Sequence, residues 1–219
     1  MYSEKGDYML TSSTVASRMN HRIKLTIYPG HYATSHAHVD NYISMTEIRC
    51  DAAMAREAAS EIANKLRYTK IDTIVCLEAT QLIGAFIASD LTDGGRRSIN
   101  AGMPIHVVTP EINSNNQLTF NSELQKYITD RNVALMMSTV STGRSLARAG
   151  ECITYYGGKL VAIGAIFSAI ESSGELPIHS IFLKNDLNEY NNYRSDECPL
   201  CRSGRKLDGL INTMGCTKL

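Results

Sequence analysis

The sequence predicts an α/β fold, in which a mostly parallel β-sheet is flanked by helices and carries a small cap formed by both termini. Two observations predict this fold. Short apolar, β-branched runs alternate with segments of helical length from about residue 51 to 184, a pattern typical of βαβ units. Residues 1–50 and 185–219 do not continue the alternation, so we assign them to the cap. In this interpretation residues 1–219 form a single domain.

The core elements follow in order along the chain. The first is an amphipathic helix over 51–68, whose apolar side chains recur every four positions: Met54, Ala58, Ile62 and Leu66. Buried strands are predicted by short apolar runs at 71–77, 104–108, 132–138, 159–168 and 179–183. Helices at 80–91 and 143–156 separate some of these strands, and a glycine pair follows each helix. The polar stretch 109–123 has no helical period and predicts an exposed loop or hairpin arm.

Two polar loops are predicted to share one edge of the sheet. LEATQ (77–81) and STVSTGRS (138–145) each follow a predicted strand and lead into a helix. Because ligands of such folds bind outside the carboxyl ends of the strands, we expect these loops to lie close together at a binding site.

Composition narrows the functional classes. The chain is 43% hydrophobic and 20% charged, with 22 basic and 22 acidic residues. Without a basic excess, we expect neither nucleic acid nor membrane as a partner. We find no signal-peptide pattern and no apolar run of membrane-spanning length. The six scattered cysteines are typical of reduced thiols rather than a disulfide framework. These features predict a soluble, cytoplasmic protein.

The loop before the helix at 143–156 has the composition of a phosphate-binding loop. Backbone N–H groups at a helix N-terminus bind anions, glycine allows close approach, and hydroxyls add donors. The residues concerned are Ser141, Thr142, Gly143, Arg144 and Ser145. The alternative is that Ser141 or Thr142 simply caps the helix, and this loop alone does not decide between them.

The surroundings of this loop resemble a known family. The strand, loop, helix and strand over 132–168 resemble the PRPP-binding segment of type I phosphoribosyltransferases, and 72–91 looks like the strand and helix of that family's pyrophosphate loop. Two further stretches are similar to the orotate phosphoribosyltransferase branch: IKLTIYPGHYATSHAHVDNY (23–42) and ECPLCRSGRKLD (197–208).

The resemblance implies a type I phosphoribosyltransferase fold that binds the 5′-phosphate of PRPP or a nucleoside monophosphate at 141–145. It places Ser138 and Thr139 near the ribose. It assigns the pyrophosphate loop to Glu78, Ala79, Thr80 and Gln81. It assigns contacts with a pyrimidine-like base to Tyr28, His31, Ser35, His36 and His38. Mg²⁺ would accompany PRPP in an active enzyme, and a homodimer is expected.

The sequence departs from the family where its charges are needed. Met137 and Ser138 occupy the positions of two adjacent acidic residues, and Gln81 occupies that of a glycine. No cation lies from Thr109 to Phe120, where the orotate branch has a basic mobile loop. We therefore assign no catalytic residue and keep two hypotheses. One is an orotate phosphoribosyltransferase-like protein with phosphoribosyl (pentosyl) transfer. The other is a non-catalytic paralogue that senses PRPP or a nucleotide, or binds a protein.

The remaining candidates are histidines and cysteines. His36, His38 and Asp40 alternate, so on a strand they share a face. They could bind a metal or a base, although a polar cap strand is the simpler interpretation. Cys198 and Cys201 have the spacing of a zinc knuckle, but a structural site needs four ligands.

Cys216 and a cap histidine could complete such a set, and a zinc-stabilised interaction module is thus a third hypothesis. We expect instead an isolated, reduced Cys198–Cys201 pair without Zn²⁺, and core positions for Cys50, Cys76 and Cys152.

Overall fold

The computed structural model describes residues 12–35, 37–95, 97–114, 117–187, 190–212 and 215–219. Its strands are β1 Ser13–Ala16, β2 Lys24–Ala33, β3 His38–Ser44, β4 Thr73–Cys76, β5 His106–Val108, β6 Glu111–Ile112, β7 Leu118–Thr119, β8 Asn132–Val140, β9 Lys159–Ser168, β10 Ser172–Ser173, β11 Leu176–Leu183, β12 Asn192–Tyr193, β13 Gly209–Asn212 and β14 Gly215–Lys218. Its α-helices are α1 Thr46–Cys50, α2 Ala52–Leu66, α3 Gln81–Thr92, α4 Ser122–Gln125, α5 Arg144–Tyr155 and α6 Pro199–Arg202.

A central sheet in the order β10-β11-β9-β8-β4-β5 forms the core. The pairs β11–β9, β9–β8, β8–β4 and β4–β5 are parallel, and only the short β10 runs antiparallel to its neighbour. Both faces of this sheet are buried, because successive side chains of each strand point to opposite faces. Along β4, Ile74 and Cys76 pack on one face while Val75 packs on the other.

Helices cover the two faces. The face that includes Ile74 packs against α2 and α3, and the face that includes Val75 packs against α5. The periodicity of α2 explains its position, since Ala58, Ile62 and Leu66 of the predicted stripe are buried. Met54, the first residue of that stripe, is half-buried against the same core. The sequence expectation of a mostly parallel sheet flanked by helices is therefore confirmed.

Strands from residues 13–44 and 192–218 build a second sheet, which we call the cap sheet. Its order is β12-β3-β2-β13-β14, and β1 pairs with β2 at Ser13–Ala16. Residues 1–11 of the predicted cap lie outside the described residues. Strand β13, from the C-terminal part of the chain, runs parallel to the end of β2 at Tyr32 and Ala33. The register of this sheet thus joins distant parts of the sequence.

The element bounds differ from expectation in a few places. Strand β8 continues to Val140, two residues beyond the predicted end, and the short helix α4 begins at Ser122, inside the stretch predicted to be a loop or hairpin arm. Antiparallel pairing of β6 with β7 within that stretch agrees with a hairpin arm. None of the helices in the described part of the chain is long and apolar enough to cross a membrane.

Candidate phosphate-binding site

A pocket opens between the cap sheet and the carboxyl ends of β4 and β8. The strand order places it at a topological switch point: from β4 the chain moves outward to β5, then returns to β8 on the other side. The helices after β4 and β8 lie on opposite faces of the sheet, and this divergence leaves a crevice where ligands of such folds bind. The expectation that the loops after β4 and β8 meet is confirmed by direct hydrogen bonds between Glu78 and Ser138.

The N-terminus of α5 forms one wall of the pocket. Gly143 is the N-cap residue, with a φ of 78° in the left-handed region, and no side chain caps the helix. The alternative that Ser141 or Thr142 caps α5 is therefore wrong. The first amide groups of a helix have no intrahelical acceptor, and here no side-chain oxygen replaces one. The amides and the helix dipole at this end favour a bound anion.

The five residues predicted to bind phosphate, 141–145, all line the pocket. The side chain of Ser141 is held in place, since its Oγ accepts a hydrogen bond from Asn192 Nδ2 at 3.1 Å and it also bonds the Tyr190 hydroxyl. Burial raises the pKa of Tyr190, and the bond to Ser141 opposes that rise. Thr142, Arg144 and Ser145 are exposed, so their polar groups can reach a ligand from solvent.

Glu78 joins the two loops. Its Oε2 accepts hydrogen bonds from the backbone N–H groups of Ser138 at 3.1 Å and Thr139 at 3.0 Å. Burial raises the pKa of the Glu78 carboxyl, while the two N–H bonds and the charge of Arg49 act in the opposite direction. The carboxylate is thus used to hold the end of β8.

The hydroxyls of Ser138 and Thr139 have partners within the protein, although both residues line the pocket. Ser138 Oγ donates to the Glu78 carbonyl at 2.9 Å, and Thr139 Oγ1 lies 3.5 Å from the sulfur of Met45. Met137 is buried in the core beneath them, 1% exposed. Residues 137–139 therefore offer no acidic side chain to a ribose near this strand.

The predicted pyrophosphate loop has an unusual backbone. Glu78 and Ala79 have φ values of 55° and 60°, a conformation that costs about 1–2 kcal/mol for each non-glycine residue. Local bonds hold it: Thr80 Oγ1 donates to the Leu77 carbonyl at 2.7 Å, and Arg49 Nη1 donates to the Glu78 carbonyl at 3.0 Å. Of the four predicted residues, Glu78 lines the pocket, whereas Ala79, Thr80 and Gln81 do not.

The donor set does not fit a Mg²⁺ ion held by the protein. Mg²⁺ is bound through one or two carboxylates together with substrate phosphates and water. Among the described residues that line the pocket, Glu78 carries the only carboxylate, and its Oε2 already accepts two backbone bonds. The cationic side chains of this lining are Arg49 and Arg144, so the described pocket is better supplied for an anion than for a metal.

Of the residues predicted to contact a base, some line the pocket and others do not. Ser35 lines the pocket. Tyr28 lies outside the lining, stacked against Tyr42 with ring centroids 5.8 Å apart. His31 and His38 also lie outside it, because their rings meet the two cysteines of the C-terminal segment. The structure therefore does not place His31 and His38 at this pocket, and His36 lies outside the described residues.

The structure adds pocket residues that sequence reasoning missed: Asn41, Tyr42, Arg49, Tyr190, Asn192 and Asn212. All come from the cap sheet or from segments adjoining it, where pairing between the chain ends decides which side chains face the pocket. Arg49 could have been predicted from one feature of the sequence. It directly precedes the amphipathic helix at 51–68, whose start lies at the same edge of the sheet as the two polar loops.

The expectation that Cys198 and Cys201 form an isolated pair is also wrong. Cys198 Sγ lies 3.5 Å and Cys201 Sγ 3.6 Å from Nε2 of His31. Cys76 is buried as expected and Cys152 is half-buried, but Cys50 is exposed at the end of α1. The placement of Cys50 follows from its helix, which buries Ile48 instead.

The architecture is similar to solved phosphoribosyltransferases. Orotate phosphoribosyltransferase of Mycobacterium tuberculosis H37Rv, in complex with Fe(III) dicitrate, gives a TM-score of 0.51 at 15% identity over 75% of this chain and 93% of that one. A phosphoribosyltransferase of Corynebacterium diphtheriae gives a TM-score of 0.50 at 14% identity, over 73% of this chain and 92% of that one. UMP synthase of Leishmania donovani gives 0.49 at 17% identity over 67% of this chain, but the match spans only 30% of that chain.

These likenesses show that the chain has the fold of the type I phosphoribosyltransferases. At such identities they establish the fold alone. No protein-family model matches the chain.

Proposed function

We propose that the pocket binds the 5′-phosphate of a phosphoribosyl compound, either PRPP or a nucleoside monophosphate. One observation carries the proposal: the uncapped N-terminus of α5 faces a pocket at the switch point of the sheet, with Gly143 at a φ of 78°. The phosphate would accept bonds from the amides that follow Gly143 and from the hydroxyls of Thr142 and Ser145. Arg144 supplies a cation at the same wall.

The proposed ligand extends from this wall toward the cap sheet. A ribose would lie against the end of β8, and a base would lie beneath Ser35, Asn41 and Tyr42, which line the opposite side. Amide and hydroxyl groups there match the hydrogen-bonding edge of a pyrimidine, which supports the resemblance to the orotate branch. A homodimer remains part of the proposal on the strength of that resemblance, and sedimentation velocity would test it.

The same geometry favours binding without transfer. Displacing pyrophosphate from the anomeric carbon makes the ribose cationic and the leaving group more negative, and removing one preorganised donor aimed at such a change costs about 10²–10³-fold. Met137 is buried, the Glu78 carboxylate holds backbone amides, and the stretch from Thr109 to Phe120 has no cation. We therefore favour a non-catalytic paralogue that senses a nucleotide or PRPP.

Residual phosphoribosyl transfer is the second candidate. It is favoured by the position of Glu78 at the end of β4, beside the residues that would face the ribose. In that case PRPP would bring its own Mg²⁺, since the pocket offers no carboxylate set to hold the ion first.

Isothermal titration distinguishes these functions. The purified protein is titrated with UMP, orotidine 5′-monophosphate and Mg²⁺-PRPP, with uridine as the matched ligand that lacks phosphate. We expect binding of at least one phosphorylated compound and none of uridine. Equal binding of uridine and UMP would contradict the phosphate site. A second assay measures pyrophosphate release from PRPP in the presence of orotate. Release would establish phosphoribosyl transfer, and no release from a protein that binds PRPP would support sensing.

A further inference from the structure

A compact group of potential metal ligands lies outside the pocket, in the cap sheet. It comprises His31 at β2, His38 at the start of β3, and Cys198 and Cys201 at α6, and we call it the His–Cys cluster. Its four ligand atoms lie within 4.8 Å of one another. His31 and Cys198 are fully buried, His38 is half-buried, and Cys201 is exposed.

From this cluster we infer that the protein binds a structural Zn²⁺ ion through His31, His38, Cys198 and Cys201. Two thiolates and two neutral imidazoles form a Cys₂His₂ set, which is a common tetrahedral ligand set of structural zinc. The two thiolates balance the charge of the ion. With four protein ligands the site is closed, so its role is to hold the fold rather than to act on a substrate. This inference does not depend on the proposed function.

The distances match such an ion. With Zn–S of about 2.3 Å and Zn–N of about 2.0 Å, a tetrahedral ion separates a nitrogen and a sulfur ligand by about 3.5 Å and two nitrogens by about 3.3 Å. His31 Nε2 lies 3.5 Å from Cys198 Sγ and 3.6 Å from Cys201 Sγ. His38 Nδ1 lies 3.2 Å from Cys201 Sγ and 3.1 Å from His31 Nε2. All four separations agree with the ideal values within about 0.3 Å.

The partners of His31 orient its lone pair toward the centre. Its Nδ1 lies 2.9 Å from the carbonyl oxygen of Arg205 and 3.2 Å from that of Lys206. Because carbonyls only accept hydrogen bonds, Nδ1 carries the proton of the neutral ring and Nε2 presents its lone pair. Backbone carbonyls fix metal-binding histidines in this way.

A network of ordinary hydrogen bonds explains the cluster less well. His38 Nδ1 and both sulfurs approach the single lone pair of His31 Nε2. One nitrogen lone pair accepts one strong hydrogen bond, so the three neighbours cannot all donate to it. If Cys201 donates instead to His38 Nδ1, 3.2 Å away, the lone pairs of the two histidine nitrogens face each other at 3.1 Å. A metal ion at the centre satisfies all four ligand atoms at once.

The cluster also lies where the fold lacks other support. From residue 194 to 208, Cys198 is the only buried residue, and α6 is just four residues long. A segment with so little apolar burial needs another source of stability, which metal binding supplies. Holding this segment to β2 and β3 would fix the start of β13, whose Ile211 and Asn212 line the pocket.

The test uses the untagged full-length protein, because a histidine tag binds zinc itself. Zinc is measured by inductively coupled plasma mass spectrometry after gel filtration, and we expect about one ion per chain. Metal-free protein is then titrated with Co²⁺, which gives intense visible bands in a tetrahedral site and a charge-transfer band with thiolates. The variants are Cys201→Ser and His38→Ala, and Cys50→Ser is the control because Cys50 is exposed outside the cluster.

We expect each ligand variant to weaken metal affinity by more than about 100-fold, since loss of outer-shell partners alone costs about 10–100-fold. Cys50→Ser should bind as the wild type does. Wild-type protein without zinc and without the Co²⁺ spectrum would overturn the inference, as would a Cys198–Cys201 disulfide found by mass spectrometry. Unchanged zinc affinity in both ligand variants would place the metal elsewhere and overturn it too. Should a variant fail to fold, the Co²⁺ spectrum of the wild type still decides.

Discussion

Replacing Gly143 with alanine tests whether the N-terminus of α5 is a phosphate site. The backbone at this position has a φ of 78°, and an L-residue held there costs about 1–2 kcal/mol. The added Cβ would lie 3.2 Å from Cδ1 of Ile170, the flexible end of a side chain that can move by a few tenths of an ångström. We therefore expect the strain of the backbone to dominate, with a fall in melting temperature of about 2–8 °C for a chain of this size.

The same change should weaken ligand binding by more than its effect on stability. An alanine that relaxes toward negative φ turns the amides of the following residues away from the pocket. A hydrogen bond to a charged group contributes about 1.5–3 kcal/mol, so the loss of one such bond raises Kd about 10- to 150-fold. Isothermal titration with UMP at a temperature well below unfolding measures this ratio directly.

Gly174→Ala is the matched control. Gly174 also has a positive φ, of 59°, but a Cβ there meets no atom within 4 Å, and the residue lies in the β10–β11 turn outside the pocket lining. We expect it to lose similar stability and to bind UMP as the wild type does. If the two variants lose equal stability and both keep wild-type affinity, the amides after Gly143 do not hold the phosphate.

Two further predictions concern charges in the pocket. Ser145→Asp places an acidic residue in the first turn of α5, which should leave the free energy of unfolding unchanged or raise it by about 0.3–1 kcal/mol. The carboxylate should nevertheless repel phosphate and weaken UMP binding about tenfold or more. Ser145→Asn is the uncharged control, and equal UMP affinity in both variants would argue against an anion at this wall. The second prediction concerns pH. Because burial raises the folded-state pKa of Glu78, the folded protein binds this proton more tightly than the unfolded chain does. Glu78 therefore adds stability as pH falls from its raised pKa to its ordinary pKa, and this gain is lost as pH rises again. Urea denaturation across this window should show the gain in the wild type and not in Glu78→Gln, and an identical pH profile in the variant would exclude Glu78 as the source.

The core of the fold was predictable because its elements are periodic and local. Strand β9 has the predicted bounds, Lys159–Ser168, since ten consecutive residues suit a strand buried on both faces. Helix α2 keeps the predicted stripe of Ala58, Ile62 and Leu66. The position of residues 141–145 beside the pocket was also predictable, because a turn between a parallel strand and the next helix lies at the carboxyl edge of the sheet.

The cap sheet was not predictable in this way. Its register joins β2 to β13 and β3 to β12 across most of the chain, and no local period encodes a pairing of that kind. The His–Cys cluster shows the consequence most clearly, because His31 and Cys198 are 167 positions apart. The two-residue spacing of Cys198 and Cys201 indicates half of a metal site, but the other half depends on which cap residues the register brings beside it.

The distribution of polar contacts in the pocket bears on whether binding leads to chemistry. During phosphoribosyl transfer the 5′-phosphate does not change, so contacts with it stabilise the ground state and the transition state equally. Such uniform binding gives affinity without raising the rate of the chemical step. Acceleration would need groups aimed at the ribose and at pyrophosphate, and here Glu78 and Ser138 bind each other instead. This distribution of contacts is the reason why we propose a sensor of a phosphoribosyl ligand rather than a transferase.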